Sequence, residues 1–232
     1  MARHPKTAAL AVALSFLSAC GLPRDPEGTL QRVRGGTLRV GITEHPPWTI
    51  VDGDEPGGVE VTLVEDLAER LDARISWTFG SEAQLFEALE RRELDLVIGG
   101  FAADDPWAEI VSLTQPYITI RTIVGVSPGT PSPSSADGLR IAAERGTDVP
   151  ALVEEHDGIP VRVDSLEDAS PPVAADEWEV RALGLQPTDV ILHESQYAMA
   201  IVPGENAWLV YLERYLRSRL SEVPDLLVEQ AS

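Results

Sequence analysis

Two hydrophobic periods alternate along this chain, and that alternation restricts its fold more than any other feature. Thr37–Ile42 reads as a strand and is broken by Pro46-Pro47. Val61, Val64, Leu67, Ala68 and Leu71 then recur at spacings of three and four, which predicts an amphipathic helix from about 60 to 72. Ile75, Trp77 and Phe79 alternate with polar residues, so a strand follows. Ser81 with Gln84 makes a capping-box start for a helix carrying Leu85, Phe86 and Leu89, and Arg91 and Arg92 suit its carboxyl end. Leu94–Ile98 is a short apolar run ended by Gly99-Gly100. The order β-α-β-α-β predicts a parallel sheet with crossover helices.

Residues 127–138 are a turn-rich break, and a second β/α series begins beyond them. Leu139–Ala143, Val161–Asp164, Val173–Ala175 and Val190–Leu192 read as strands. Asp148–His156 and Glu177–Leu183 read as helices, each closed by a glycine. Ala198–Val202 is apolar again, and Asn206 opens a long helix with Leu209, Val210, Leu212, Tyr215, Leu216 and Leu220. The expectation is two small α/β units in series plus a C-terminal helix, with no internal repeat and no metal-type His/Cys spacing.

The amino terminus addresses location. Arg3 and Lys6 precede an apolar run, Ala8–Phe16, and Leu17-Ser18-Ala19-Cys20 follows. This is an export-signal layout, too short to span a bilayer, which needs roughly 20 apolar residues. The ending resembles a bacterial lipobox, which implies lipid attachment at Cys20, the only cysteine; an ordinary secretory cleavage is the alternative. Removing residues 1–19 would take away Arg3 and Lys6, moving the net charge from -20 to -22 (-20 minus two cations). Such a surface repels nucleic acid and anionic headgroups. Residues 20–36 are expected to be a flexible tether and 222–232 a C-terminal tail.

Beyond these patterns the chain resembles the amino-acid-type periplasmic solute-binding proteins, family 3. The matching stretches are Leu38-Arg39-Val40-Gly41 with Pro46-Pro47-Trp48, Gly58-Val59-Glu60-Val61, and Leu94-Asp95-Leu96-Val97-Ile98-Gly99-Gly100. Thr114-Gln115-Pro116-Tyr117, Ala174-Ala175-Asp176 and Gln196-Tyr197-Ala198-Met199-Ala200-Ile201 complete the ordered set. The resemblance implies an α/β, two-lobed periplasmic-binding-protein type II fold, with parallel-sheet lobes joined by two hinge strands. Lobe 1 would take residues 37–121 completed by 199–221, and lobe 2 a trimmed 122–198. It further implies a lipid-anchored, monomeric, non-catalytic receptor without cofactor or metal, handing a small solute to an ABC-type permease.

Ligands in such folds sit beyond the carboxyl ends of parallel strands, here positions 43–48, 99–107, 144–148 and 176–178. Gly99 and Gly100 would let a ligand approach the backbone, or simply make a turn. Thr147 sits where a helix N-cap and its free amides would favour an anion. Asp176 matches the acid that holds a ligand ammonium in the family. Trp48, Phe101, Trp107 and Trp178 fall on expected cleft loops and suit a cation through their ring faces, whereas Trp77 and Trp208 read as packing residues. Glu44 and His45 lie on the first loop.

Two departures from the family matter. Trp107 stands where an arginine commonly clamps a ligand carboxylate, leaving Arg121 and Arg145 as possible substitutes. Leu166–Pro172 replaces a longer helix. The acids and indoles favour a cationic or zwitterionic solute. The alternatives are a sensory or scaffolding lipoprotein with a degenerate cleft, or a dehydratase-type enzyme on the same fold, for which Glu44, His45, Asp176 and Glu177 are the acid–base candidates.

Overall fold

The structure is a computed structural model describing residues 25–53, 55–103 and 111–230. Helix α1 (Thr29–Val33) precedes β1 (Thr37–Ile42), and a hairpin of β2 (Ile50–Asp52) and β3 (Glu55–Gly57) leads into α2 (Val59–Arg70). Next come β4 (Arg74–Phe79), α3 (Glu82–Glu90), β5 (Leu96–Ala102), β6 (Ser112–Leu113) and β7 (Ile118–Val126). The second series is β8 (Arg140–Glu144), α4 (Val149–Glu155), β9 (Ile159–Val163), β10 (Val173–Asp176) and α5 (Glu177–Ala182). Strand β11 (Gln186–Ile201), α6 (Asn206–Arg219) and α7 (Val223–Gln230) finish the chain.

One sheet runs through the molecule in the order β4-β1-β5-β11-β7-β10-β8-β9, with β6 beside β11. In lobe 1, β1 pairs in parallel with β4 and β5; in lobe 2, β8 pairs in parallel with β9 and β10. Each parallel set meets an antiparallel strand, β11 on β5 and β7 on β10. Those two strands pair with each other from Gln186↔Val126 to Tyr197↔Ile118 and carry the chain between the lobes. This is the mixed α/β, two-lobed arrangement expected from the alternation of periods. Side chains pack on both faces of each lobe's sheet. Leu38, Val40, Leu67, Trp208 and Leu212 belong to one lobe 1 layer and Leu85, Phe86 and Leu89 to the other. Ile141 with Val153, and Val173 with Val180, mark the two layers of lobe 2.

Four local readings change. Strand β5 does not stop at Gly99-Gly100 but continues to Ala102, because β11 keeps pairing with it as far as Tyr197↔Ala102. Val190–Leu192 and Ala198–Val202 belong to one sixteen-residue strand, β11. Its middle, His193–Gln196, crosses between lobes and is largely exposed, so it lacks the apolar period that marks a half-buried strand. Part of the expected tether is docked: Thr29 and Val33 of α1 are buried. Glu205 accepts the amides of Glu27 and Thr29 at 3.2 Å each, and Asp95 accepts from Arg32 and Arg39. Residues 223–230 of the expected tail form α7, with Val223 and Leu227 buried.

Candidate functional site

The carboxyl ends of β1 and β5 in lobe 1 and of β8 and β10 in lobe 2 meet around the strand crossing. The loop after β1 is strapped to the start of α2: Val59 donates to the Pro47 carbonyl at 3.1 Å and Glu60 to the Trp48 carbonyl at 2.9 Å. These bonds satisfy amides that a helix start leaves free, and they press Trp48 inward until it is 3% exposed. The indole stacks on Tyr197 of β11, ring centroids 4.2 Å apart at 29°, and meets Tyr117 edge-on at 6.3 Å.

Beneath this aromatic floor lies a fully buried carboxylate. Glu60 Oε2 accepts the amides of Gly99 and Gly100 at 2.8 and 2.9 Å, and its Oε1 accepts the Tyr117 hydroxyl at 2.7 Å. Burial pushes the Glu60 carboxyl up, against the pull of Tyr117 and the two amides. His45 Nδ1 lies 2.9 Å from the Gly99 carbonyl. Gly100 has φ +62°, and a Cβ there would stand 2.5 Å from Trp48 Cδ1; one on Gly99 would stand 2.2 Å from Thr43 Cγ2. The glycine pair therefore makes room for Trp48 and Thr43, and its amides serve Glu60.

Lobe 2 contributes acid. Asp176 ends β10, pairs with Thr122 in the ladder and accepts its hydroxyl at 2.9 Å. Burial raises its carboxyl, and Asp148 adds to the rise while Thr122 and Trp178 oppose it. The Trp178 indole nitrogen is buried without a hydrogen-bond partner, so it acts on Asp176 as a neighbouring dipole rather than a bonded donor. Glu179 is pushed up to about 7 by burial, then by Asp176 and Glu144. Tyr197 rises to about 12, through burial first and Asp176 next. One tyrosine on the crossing strand thus has the lobe 1 indole against its ring and the lobe 2 carboxylate within electrostatic reach.

Among the described residues no arginine pairs with Asp148, Asp176 or Glu179; the nearby arginines are bound elsewhere. Arg121 pairs with Glu194 at 2.9 Å, Arg145 with Asp164 at 3.0 Å, Arg162 with Glu154 at 3.0 Å and Arg181 with Glu177 at 2.5 Å. Arg121 and Arg145, the two possible substitute clamps, thus each pair with an exposed acid. Glu144, Asp148, Asp176 and Glu179 have no ion pair among the described residues, and His193 alone draws the Asp176 carboxyl down from the cationic side.

The remaining expected site residues divide as follows. Phe101 is 2% exposed and packs on Phe86, ring centroids 5.0 Å apart; because β5 runs on through it, it faces the core and not the cleft. Thr147 donates to the Glu144 carbonyl at 2.9 Å, and the cap position of α4 belongs to Asp148. The residue at that start is thus an acid, although its side chain makes no capping hydrogen bond. Glu44 and His45 are exposed on their loop. Trp107 and Cys20 lie outside the described residues. Trp77 and Trp208 pack as expected, Trp208 donating to the Asp95 carbonyl at 3.0 Å. Sequence reasoning passed over Glu60, Tyr117, Tyr197, Asp148 and Glu179. Tyr197 and Glu60 lay within quoted motifs, but nothing in the one-dimensional pattern puts them beside Trp48. Among the described residues no helix is long and apolar enough to cross a membrane, and no group of three or more His, Cys, Asp or Glu side chains is placed to hold a metal ion.

Comparison with known proteins agrees with this geometry. A probable amino-acid-binding protein of Bacillus subtilis, YxeM, is 25% identical over 152 residues, 64% of this chain and 56% of the relative. Membrane-bound lytic murein transglycosylase F of Shewanella pealeana is 25% identical over 117 residues, 50% of this chain and 24% of that protein. The chain thus spans about half or less of the curated relatives it matches. Among solved structures, the L-cystine solute receptor of Neisseria gonorrhoeae in its unliganded open conformation superposes with a TM-score of 0.68 at 15% identity, covering 83% of this chain and 91% of the receptor. An ancestral cationic amino acid solute-binding protein, AncCDT-1, gives 0.65 at 18% identity, over 87% and 98%. These likenesses fix the fold as the type II periplasmic-binding-protein arrangement. Residues 38–218 match the family of bacterial extracellular solute-binding proteins, family 3, and the chain belongs to that family.

Proposed function

We propose that this protein is a lipid-anchored extracytoplasmic receptor that captures a small cationic or zwitterionic solute and passes it to an ABC-type permease. The observation that carries the reading is the pairing of Tyr197, half-buried on the crossing strand and backed by the buried Trp48 indole, with lobe 2 acids that lack arginine partners. A ring face attracts an ammonium or guanidinium group, more strongly where water is excluded, and Asp176 supplies the opposite charge. The solute class is therefore amines, guanidinium compounds, betaines and basic amino acids. The Leu-Ser-Ala-Cys ending at Cys20 supports the anchor.

Calorimetric titration with panels of amines, basic amino acids, betaines, dicarboxylates and neutral sugars tests this. Binding of a cationic or zwitterionic compound, weakened about tenfold or more by Asp176→Asn, is the expected result. Binding of anionic compounds alone would overturn the cationic reading, and no binding by any panel member would overturn the receptor. An enzyme on the same fold is the second reading, favoured by Glu179, which at about 7 suits proton transfer near neutral pH. Turnover of cyclic carboxylic acids of the prephenate type tests it, and inertness removes it.

A further inference from the structure

Among the described strands only β7 and β11 cross between the lobes, and the crossing itself is narrow. The β7–β11 ladder shifts register between Ile191 and His193 on one side, and on the other β11 shifts register against β5 between Ala198 and Ala200. Between these irregularities, Ile118–Thr122 pairs with His193–Tyr197 as a two-stranded ribbon. Such a ribbon is marginal alone, and bulges at its ends let it bend and twist. A hinge of that kind does not by itself hold two lobes at one separation.

We infer that helix α7 is a strap that ties the lobes together and sets their resting separation. It folds back after α6 and packs on α2 of lobe 1 and α5 of lobe 2. Val223 and Leu227 are 1% and 0% exposed within the lobe 1 core, and Trp178 from α5 packs against that same core. Apolar contact is therefore continuous from α2 through α7 to α5. A cavity of about 260 Å³ remains at the junction, lined by Ile118, Ile120, Trp178, Pro224 and Leu227 among others. It is an open groove, with Arg121, Glu177, Arg181 and Asp225 also in its lining, so the joint has room for α5 to slide without rebuilding either core. Trp178 stands two residues beyond Asp176, the carboxylate at the end of β10. A pull on Asp176 moves the indole that rests on α7, and a change at α7 is felt at Asp176, because coupling between sites is reciprocal.

The test needs no solute. Cys20 is the only cysteine, so a Cys20→Ser chain carrying Glu90→Cys on α3 and Glu155→Cys on α4 takes one spin label per lobe at exposed positions. Pulsed electron–electron resonance then gives the interlobe distance distribution. Leu227→Ala is expected to broaden it, raising the population outside the parent peak about tenfold, equivalent to about 1.4 kcal/mol. A chain ending at Glu222 should broaden it further. Leu212→Ala, which removes a side chain from the same core but on α6, should keep the parent width. An unchanged distribution in Leu227→Ala would overturn the strap, as would equal broadening in Leu212→Ala. If the shortened chain fails to fold by circular dichroism, the comparison of Leu227→Ala with Leu212→Ala decides.

Discussion

Replacing Glu60 separates two explanations of why a carboxylate sits at the centre of lobe 1. Its oxygens accept two backbone amides and one phenol hydroxyl, all at 2.7–2.9 Å, and the residue is fully buried. Glu60→Ala leaves three buried donors without an acceptor. At about 1–3 kcal/mol each the gross loss is large, but removing a buried charge returns part of it, so the net cost is expected at about 3–5 kcal/mol. Glu60→Gln keeps an acceptor for the two amides. Its NH₂ then faces the Tyr117 hydroxyl, which can turn to accept, so only charge assistance is lost and the cost is about 1–2 kcal/mol. Urea unfolding followed by far-UV circular dichroism at neutral pH measures both. The alanine variant should approach the stability margin of an ordinary domain, about 5–15 kcal/mol, and the glutamine variant should not. If alanine cost under about 1 kcal/mol, or glutamine as much as alanine, counting unsatisfied donors would be the wrong account.

Three further outcomes follow from the same geometry. Gly100→Ala forces a side chain into φ +62° and against Trp48; it should cost about 2–3 kcal/mol in the same unfolding assay and shift tryptophan emission as the indole is displaced. Glu179 is held near 7 against an ordinary 4.5, so the folded chain keeps a proton that the unfolded chain loses. Stability should therefore fall as pH rises from about 4.5 to about 7 and level off above, by about 1–2 kcal/mol after solvent screening, and Glu179→Gln should flatten that slope in a pH series of thermal melts. Asp25 rises from an ordinary 3.8 to about 6 through burial and its neighbour Glu205, so docking of the segment before β1 should loosen as pH rises between those values and level off above. Glu205→Ala, which frees the amides of Glu27 and Thr29, should speed tryptic cleavage at Arg32 and Arg34 about tenfold.

The periodic elements were legible because each buries one face against a neighbouring layer, which leaves a stripe of apolar residues in the sequence. Strands β1 and β4, helix α2 and the capping box of α3 all carry that stripe or its end signals. Strand β11 carries it only at its ends, since its crossing segment packs against neither core. Helices α1 and α7 are short and were hidden in segments that read as tether and tail; what orders them is contact with Asp95, Glu205 and the lobe 1 core, residues far away in the chain.

The amino-acid order by itself determined the α/β class and the two series. It also brought Trp48 and Asp176 under suspicion, as an aromatic and an acid at strand ends. Tertiary structure alone decided what each residue does there. The same loop rule singled out Trp48 and Phe101, and tertiary packing buried both, the indole behind Tyr197 and Phe101 against Phe86. Glycines that read as ligand seats give clearance to an indole, and a buried glutamate from α2 accepts their amides. Loop position follows from local periodicity, whereas direction, burial and charge balance depend on partners brought together from distant parts of the chain.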